Sequence, residues 1–398
     1  MYGKSVKINH WLIPVSWLYG LGVEIRNKLF DWGILPAEEF DIPVISVGNL
    51  AVGGTGKTPH IEYLIELLGH KYHIAVLSRG YKRKSRGFIL ADDKSTAREI
   101  GDEPYQIKRK YPNITVAVDA NRRRGIKQLK KQIPDIDVIL LDDAFQHRYV
   151  TPLSSIVLTD YNRALHLDKL LPAGRLRESR HELSRANMVI VTKCPIDMKP
   201  IEYNIISRWL HLFPYQNLYF STLSYGHLQA VFPDTAIGEI SLKDISRKDG
   251  LMVVTGIANP APMLQYISHF HDLREKLLYP DHHNFTSNDL NDITTRFSAL
   301  KGEKKYIITT EKDAARLRSI PFDDAIKKAL YFLPIHVRFM QHTGTSFDEK
   351  ISDIIYKNRR SKQVKNNFEA VSSFLCQIKI IAQNIYLQKL KQLLKTPR

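Results

Sequence analysis

The segment Ala51-Val-Gly-Gly-Thr-Gly-Lys-Thr58 constrains this chain more than any other. It follows an apolar run, Val44-Ile-Ser-Val-Gly48, and precedes the helical pattern Ile61-Glu-Tyr-Leu-Ile-Glu-Leu-Leu68. Strand, glycine-rich turn and helix in that order make a phosphate cradle. The backbone N–H groups of Val52, Gly53, Gly54, Thr55 and Gly56 wrap phosphate oxygens, and the helix N-terminus adds its positive end. Lys57 reaches the β- and γ-phosphates and Thr58 offers a hydroxyl to Mg²⁺. The strict pattern has Gly where this chain has Ala51, so the loop is slightly irregular.

Other apolar runs end in Gly or a polar residue before helical stretches. They are His73–Ser78, Ile114–Val118, Val138–Asp142, Ser155–Asp160 and Met188–Thr192, and this alternation predicts a mostly parallel sheet covered on both faces. A second set at Leu251–Gly256, Tyr306–Thr310 and Leu330–Leu333 predicts a smaller α/β domain. The expected fold is therefore a P-loop NTPase-like α/β/α sandwich plus a second α/β domain. We divide the 398 residues into an interfacial helix (1–35), a P-loop domain (36–222), a smaller domain with its linker (223–358) and a basic extension (359–398).

The two ends bear on location. Trp11, Trp17, Tyr19, Phe30 and Trp32 stand among basic residues in a stretch too short, and too broken by Pro14 and Ser16, to span a bilayer. Such rings suit the headgroup region, although the same helix packed on the protein's own core would read alike. The last forty residues hold nine Lys/Arg and one acidic residue, Glu369, so they carry +8 of the net +17. Val371, Phe374, Ile378, Ile381 and Ile385 have helical spacing, which predicts a basic amphipathic helix that binds an anionic surface or docks on a protein. Two distant cysteines, Cys194 and Cys376, make no disulfide framework and fit a reducing compartment.

P-loop enzymes hold their metal with an acidic residue at the end of a neighbouring strand, and Asp142-Asp143 closes the run Val138–Asp142. From this point a particular family is visible. Ser46–Leu50 leads into Val52–Pro59, followed by Leu77-Ser-Arg-Gly-Tyr81, Gly101-Asp-Glu-Pro104, Leu141-Asp-Asp-Ala-Phe-Gln-His-Arg148, Leu171-Pro-Ala-Gly-Arg-Leu-Arg-Glu178, Pro280-Asp-His-His283 and Thr310-Glu-Lys-Asp313. Over roughly residues 10 to 355 these blocks resemble, in kind and order, the tetraacyldisaccharide 4′-kinase (lipid A 4′-kinase) family.

The resemblance implies transfer of the γ-phosphoryl group of ATP to the 4′-hydroxyl of an acylated glucosamine disaccharide 1-phosphate, at the cytoplasmic face of the bacterial inner membrane. It implies peripheral membrane contact and no nucleic acid partner. By the same resemblance Asp102 and His282 handle the hydroxyl proton, and Lys57 and Arg177 stabilise the transferring charge. Arg122 lies near the nucleotide or acceptor phosphate, and Thr58, Asp142, Asp143, Gln146 and Glu178 surround Mg²⁺. Arg79, Lys82, Arg83, Lys84 and Arg86, interleaved with Tyr81 and Phe88, would face anionic lipid or simply water. A rival reading is a membrane-associated GTPase or ATPase switch, because Thr310–Asp313 loosely resembles the Asn-Lys-x-Asp pattern that reads guanine. Glu311 stands in the place of that Asn.

Overall fold

The structure, a computed structural model, describes residues 6–236, 238–281, 283–318, 320–341 and 343–361. Residues up to 345 form one compact unit and residues from 346 another. In the second, residues 346–361 are helical; the rest of the expected basic extension, Val371 to Ile385 included, lies outside the described residues.

The first unit is built on two sheets. Strands β1 (Val44–Asn49), β2 (Ile74–Ser78), β3 (Ile89–Leu90), β4 (Thr115–Val118), β5 (Val138–Asp142), β6 (Ser154–Asp160), β7 (Met188–Thr192) and β8 (Asn217–Tyr225) belong to the first. The second contains β9 (Leu228–Ala230), β10 (Glu239–Ile240), β11 (Gly250–Thr255), β12 (Glu275–Leu278), β13 (Lys305–Thr310) and β14 (Leu330–Leu333), and β15 (Ile335–Phe339) returns to the first. The first sheet runs β15-β8-β7-β6-β1-β5-β2-β4-β3 and is parallel except for its two antiparallel edges, β15 on β8 and β3 on β4. The second runs β10-β9-β14-β13-β11-β12, with a parallel centre and antiparallel β9 and β10.

Every residue of β1, β2, β5, β6 and β7 is buried, as expected where helices cover both faces of a parallel sheet. In β11 the alternation of strand side chains splits the run: Leu251 and Val253 join one core with Met263 and Ile267, while Met252 and Val254 join another with Ile293 and Phe297. The architecture is the expected α/β sandwich with a second, smaller α/β sheet. The expected boundary at 222/223 falls inside β8, and β15 lies beyond the second sheet in sequence but pairs in the first.

Strand β1 is central, flanked by β5 and β6, and its register with β5 sets Val47 beside Asp142. The glycine-rich turn and the acidic strand end therefore emerge together at the carboxyl edge, where open α/β sheets bind ligands. The helix Ile13–Asp31 packs against this edge through small and polar residues. A Cβ on Gly20 would lie 2.8 Å from Leu170 Cδ1, so any larger residue would displace the end of that leucine. The Ser16 hydroxyl donates to Leu170 O at 2.5 Å, and the Tyr19 hydroxyl donates to Arg177 O at 2.9 Å.

Candidate active site

The helix Lys57–Leu68 starts from Gly56, whose φ of 86° favours glycine, as does the 120° of Gly53. Ala51 is bridged to Leu176, and the Val52 N–H donates to Arg175 O at 2.8 Å, so the start of the loop is braced by the segment that carries Arg177. From β7, the Thr192 hydroxyl donates to Thr55 O at 2.9 Å and the Lys193 ammonium donates to Gly54 O. Asn49 Nδ2 donates to Thr55 Oγ1 at 2.8 Å. Beneath the loop, fully buried His60 uses Nδ1 on Gly56 O (2.7 Å) and Nε2 on Ser221 Oγ (3.0 Å).

Asp143 is the focus of the cations. Lys57 Nζ lies 3.6 Å from Asp143 Oδ1, and Arg177 Nη1 donates to both carboxylate oxygens (2.9 and 3.1 Å) and to Gln146 Oε1 (3.2 Å). Burial works against ionisation of Asp143, but Lys57 and Arg177 outweigh it and hold the carboxyl below its usual range. Its φ of 48° turns the chain at the end of β5. Asp142 lies deeper. Burial, and then the charges of Glu103 and Asp143, push its carboxyl up to about 7. Its Oδ2 accepts from the Ser78 hydroxyl (3.1 Å), while Oδ1 is buried with no hydrogen-bond partner among the described residues.

The remaining expected site residues divide. Arg122 is buried behind the aspartates, donating to Asp142 O at 2.9 Å and to Asp119 O at 3.3 Å, with its guanidinium lowered to about 10 by burial. Gln146 bridges the site, its Nε2 donating to Asn49 O at 2.8 Å. Glu178 is engaged elsewhere: Arg185 Nη2 lies 2.5 Å from one carboxylate oxygen, and Arg26 and Asn27 from the N-terminal helix approach the other at 3.6 and 3.4 Å. Asp102 begins the helix Asp102–Lys110, and the charge of its neighbour Glu103 raises Asp142, so the first turn of this helix lies within electrostatic range of the aspartates. His282 lies outside the described residues. Next to it, His283 Nε2 pairs with Asp289 Oδ2 at 2.9 Å and its ring stacks on Tyr279.

The guanine-reading comparison for Thr310–Asp313 does not hold. Asp313 is fully buried at the end of the second sheet, where its Oδ2 accepts from Thr255 Oγ1 (2.8 Å), Gly256 N (2.9 Å) and Thr310 Oγ1 (2.8 Å). A carboxylate saturated by its own fold has nothing left to offer a base. Residues that sequence reasoning missed include Lys193, Thr192 and Asn49. The first two had a local signal, a Thr-Lys pair closing a parallel strand; Asn49 closes β1 and lies six residues before Thr55, the residue it holds.

A glycine loop and a strand-end aspartate pair, clasped by a lysine and an arginine beneath a second α/β lobe, define a P-loop phosphotransferase. The family model described as tetraacyldisaccharide-1-P 4′-kinase matches residues 8–356. A tetraacyldisaccharide 4′-kinase of Bacteroides thetaiotaomicron is 52% identical over 376 residues, covering 92% of this chain and 99% of the relative. Its counterpart in Porphyromonas gingivalis strain W83 is 45% identical over 358 residues, covering 88% and 98%. Among solved structures, LpxK from Aquifex aeolicus, crystallised in complex with ATP, superposes with a TM-score of 0.68 at 27% identity, covering 87% of this chain and 98% of that one. The chain belongs to the tetraacyldisaccharide 4′-kinase family, and it is a kinase.

Proposed function

We propose that this chain transfers the γ-phosphoryl group of ATP to the 4′-hydroxyl of a tetraacylated glucosamine disaccharide 1-phosphate, a step of lipid A assembly, while lying on the cytoplasmic face of the inner membrane. The observation that carries the proposal is the convergence of Lys57 and Arg177 on Asp143 beside the glycine loop, with the first turn of the Asp102 helix within electrostatic range of Asp142. In phosphoryl transfer the protein positions the two oxygens in line and neutralises charge. The loop N–H groups and Lys57 hold the β- and γ-phosphates, and Arg177 stands where charge grows on the transferring group. As the acceptor oxygen bonds to the γ-phosphorus, the bond to the bridging oxygen of ADP breaks and the hydroxyl proton passes to the Asp102 carboxylate.

The donor set also fits Mg²⁺, a hard cation that takes oxygen ligands. Asp142, with a buried and unsatisfied oxygen, and Thr58 are the residues we assign to it. Asp143 and Gln146 border the site, both bonded to Arg177, and Glu178 is paired with Arg185. When bound, the ion neutralises charge on the phosphate oxygens.

A lipid acceptor requires a bilayer-facing surface. No helix among the described residues is long and apolar enough to cross a membrane. The helix Ile13–Asp31 and its flanks instead turn outward Trp11 (93% exposed), Trp17 (73%), Leu18 (72%), Leu21 (58%) and Trp32 (69%), while Ser16 and Asn27 face the protein. Aromatic and aliphatic side chains so displayed suit the headgroup region. The deciding experiment is transfer of labelled γ-phosphate from Mg-ATP to the tetraacylated disaccharide 1-phosphate in mixed micelles. We expect a doubly phosphorylated lipid; nucleotide hydrolysis without that product would refute the acceptor and favour a switch protein.

A further inference from the structure

We infer that Arg316 is a positioning residue for the transfer, through which the second lobe holds the Asp102 carboxylate in its working orientation. The inference rests on the reading of Asp102 as proton acceptor and adds the group that fixes it. Asp102 follows Gly101 (φ 94°) at the first turn of its helix, where its short side chain has a choice of rotamers. Arg316 Nη2 donates to Asp102 Oδ2 at 2.5 Å, and the arginine side chain is only 8% exposed.

The other arm of Arg316 identifies the anchor. Nη1 donates to Asp313 Oδ1 at 3.3 Å, and Asp313 itself is immobilised through Oδ2 by Thr255, Gly256 and Thr310. Those three donors sit at the carboxyl ends of β11 and β13, neighbouring strands in the middle of the second sheet. A continuous chain of bonds thus runs from a rigid sheet edge through Asp313 and Arg316 to Asp102. The planar guanidinium is suited to this task, because its rigid fork spans two carboxylates at once whereas an ammonium acts as a point charge on a flexible stem. The Thr-Glu-Lys-Asp segment, which binds no base, acquires a purpose here as the support for that fork.

Other charged groups on the elements packed against the Asp102 helix have pairings of their own. Lys110 pairs with Glu62 at 2.7 Å and Glu311 at 3.2 Å, Glu99 accepts from Thr96, and Lys312 lies 3.8 Å from Asp281. Glu103, on the same helix, acts on Asp142. Arg316 brings a guanidinium to the Asp102 carboxylate.

The alternative use of the same bond is cohesion of the lobes, and a double-mutant cycle separates the two. Turnover in mixed micelles, nucleotide dissociation constant and melting temperature are measured for R316Q, R316K, D102N and D102N/R316Q. R316Q should lower kcat by about 10²-fold, the size of a misplaced reacting group, with nucleotide affinity unchanged. R316K should recover part of the loss. In the D102N background R316Q should cost nothing further. Wild-type kcat in R316Q, or an equal further loss on top of D102N, would overturn the inference, as would parallel losses of nucleotide affinity and melting temperature. If R316Q does not fold, R316K in both backgrounds completes the same cycle. Wild-type turnover in D102N alone would instead refute the reading of Asp102 on which the inference stands.

Discussion

His60 offers a quantitative test of how the phosphate loop is supported. Gly56 O can only accept, so Nδ1 must carry the proton and donate to it at 2.7 Å, leaving Nε2 to accept from the Ser221 hydroxyl at 3.0 Å. Both ring nitrogens are satisfied in the neutral form, and burial lowers the imidazole from 6.5 to about 4. The unfolded chain binds a proton at His60 below pH 6.5 and the folded chain does not until about pH 4. In that window the unfolded state holds more protons, so stability rises with pH, is fully present above 6.5, and is lost progressively as the pH falls toward 4. The fall from 6.5 to about 4 corresponds to about 3 kcal/mol at the acid end. Urea unfolding of the wild type and H60Q across this range measures it. Asp142, Glu62 and His147 also have shifted carboxyls or rings, so the informative quantity is the difference between the two proteins. H60Q should lose the acid-side slope that belongs to His60. Parallel curves for the two proteins would refute the argument that a neutral imidazole is locked beneath the loop.

Two further outcomes are expected. K57A should reduce turnover by about 10²-fold or more, the usual size for losing one preorganised electrostatic group, and wild-type-like turnover would remove the phosphate-loop assignment. Replacing Leu18 and Leu21 by Ser, each more than half exposed, should weaken co-sedimentation with anionic vesicles by at least tenfold, since each apolar side chain buried in lipid contributes about 1.5–3 kcal/mol; undiminished binding would place the membrane contact elsewhere.

What could be seen in the sequence was whatever depends on near neighbours. The phosphate loop was legible because glycines, strand and helix occur within some twenty-five residues, and the buried strands because parallel strands covered on both faces need unbroken apolar runs. Strand β15 was not, since Ile-His-Val-Arg-Phe is an ordinary half-buried alternation whose partner β8 lies more than a hundred residues earlier. Glu178 illustrates the same limit at the site. Its acidic side chain beside Arg177 is legible, but its neighbours Arg26, Asn27 and Arg185 come from segments the local sequence does not connect. Arg316 had no local signal, because the strand ends that fix Asp313 come from separate segments.

The return of β15 to the first sheet has a consequence for how the chain acquires its structure. The polypeptide leaves the first sheet at β8, completes the second sheet, and only then supplies the strand that covers β8. Until that moment β8 presents an open edge, the kind of surface that recruits stray strands, and the helix Lys57–Leu68 lacks its contact between Tyr63 and Phe339, whose rings lie 5.2 Å apart. Closure of the nucleotide-binding half must therefore wait for the inserted half. Folding is governed by a late pairing between segments far apart in sequence, which is intrinsically slow. A substitution that cripples the second sheet will leave the first with a sticky flank, so lesions remote from the phosphate loop will surface as aggregation during synthesis.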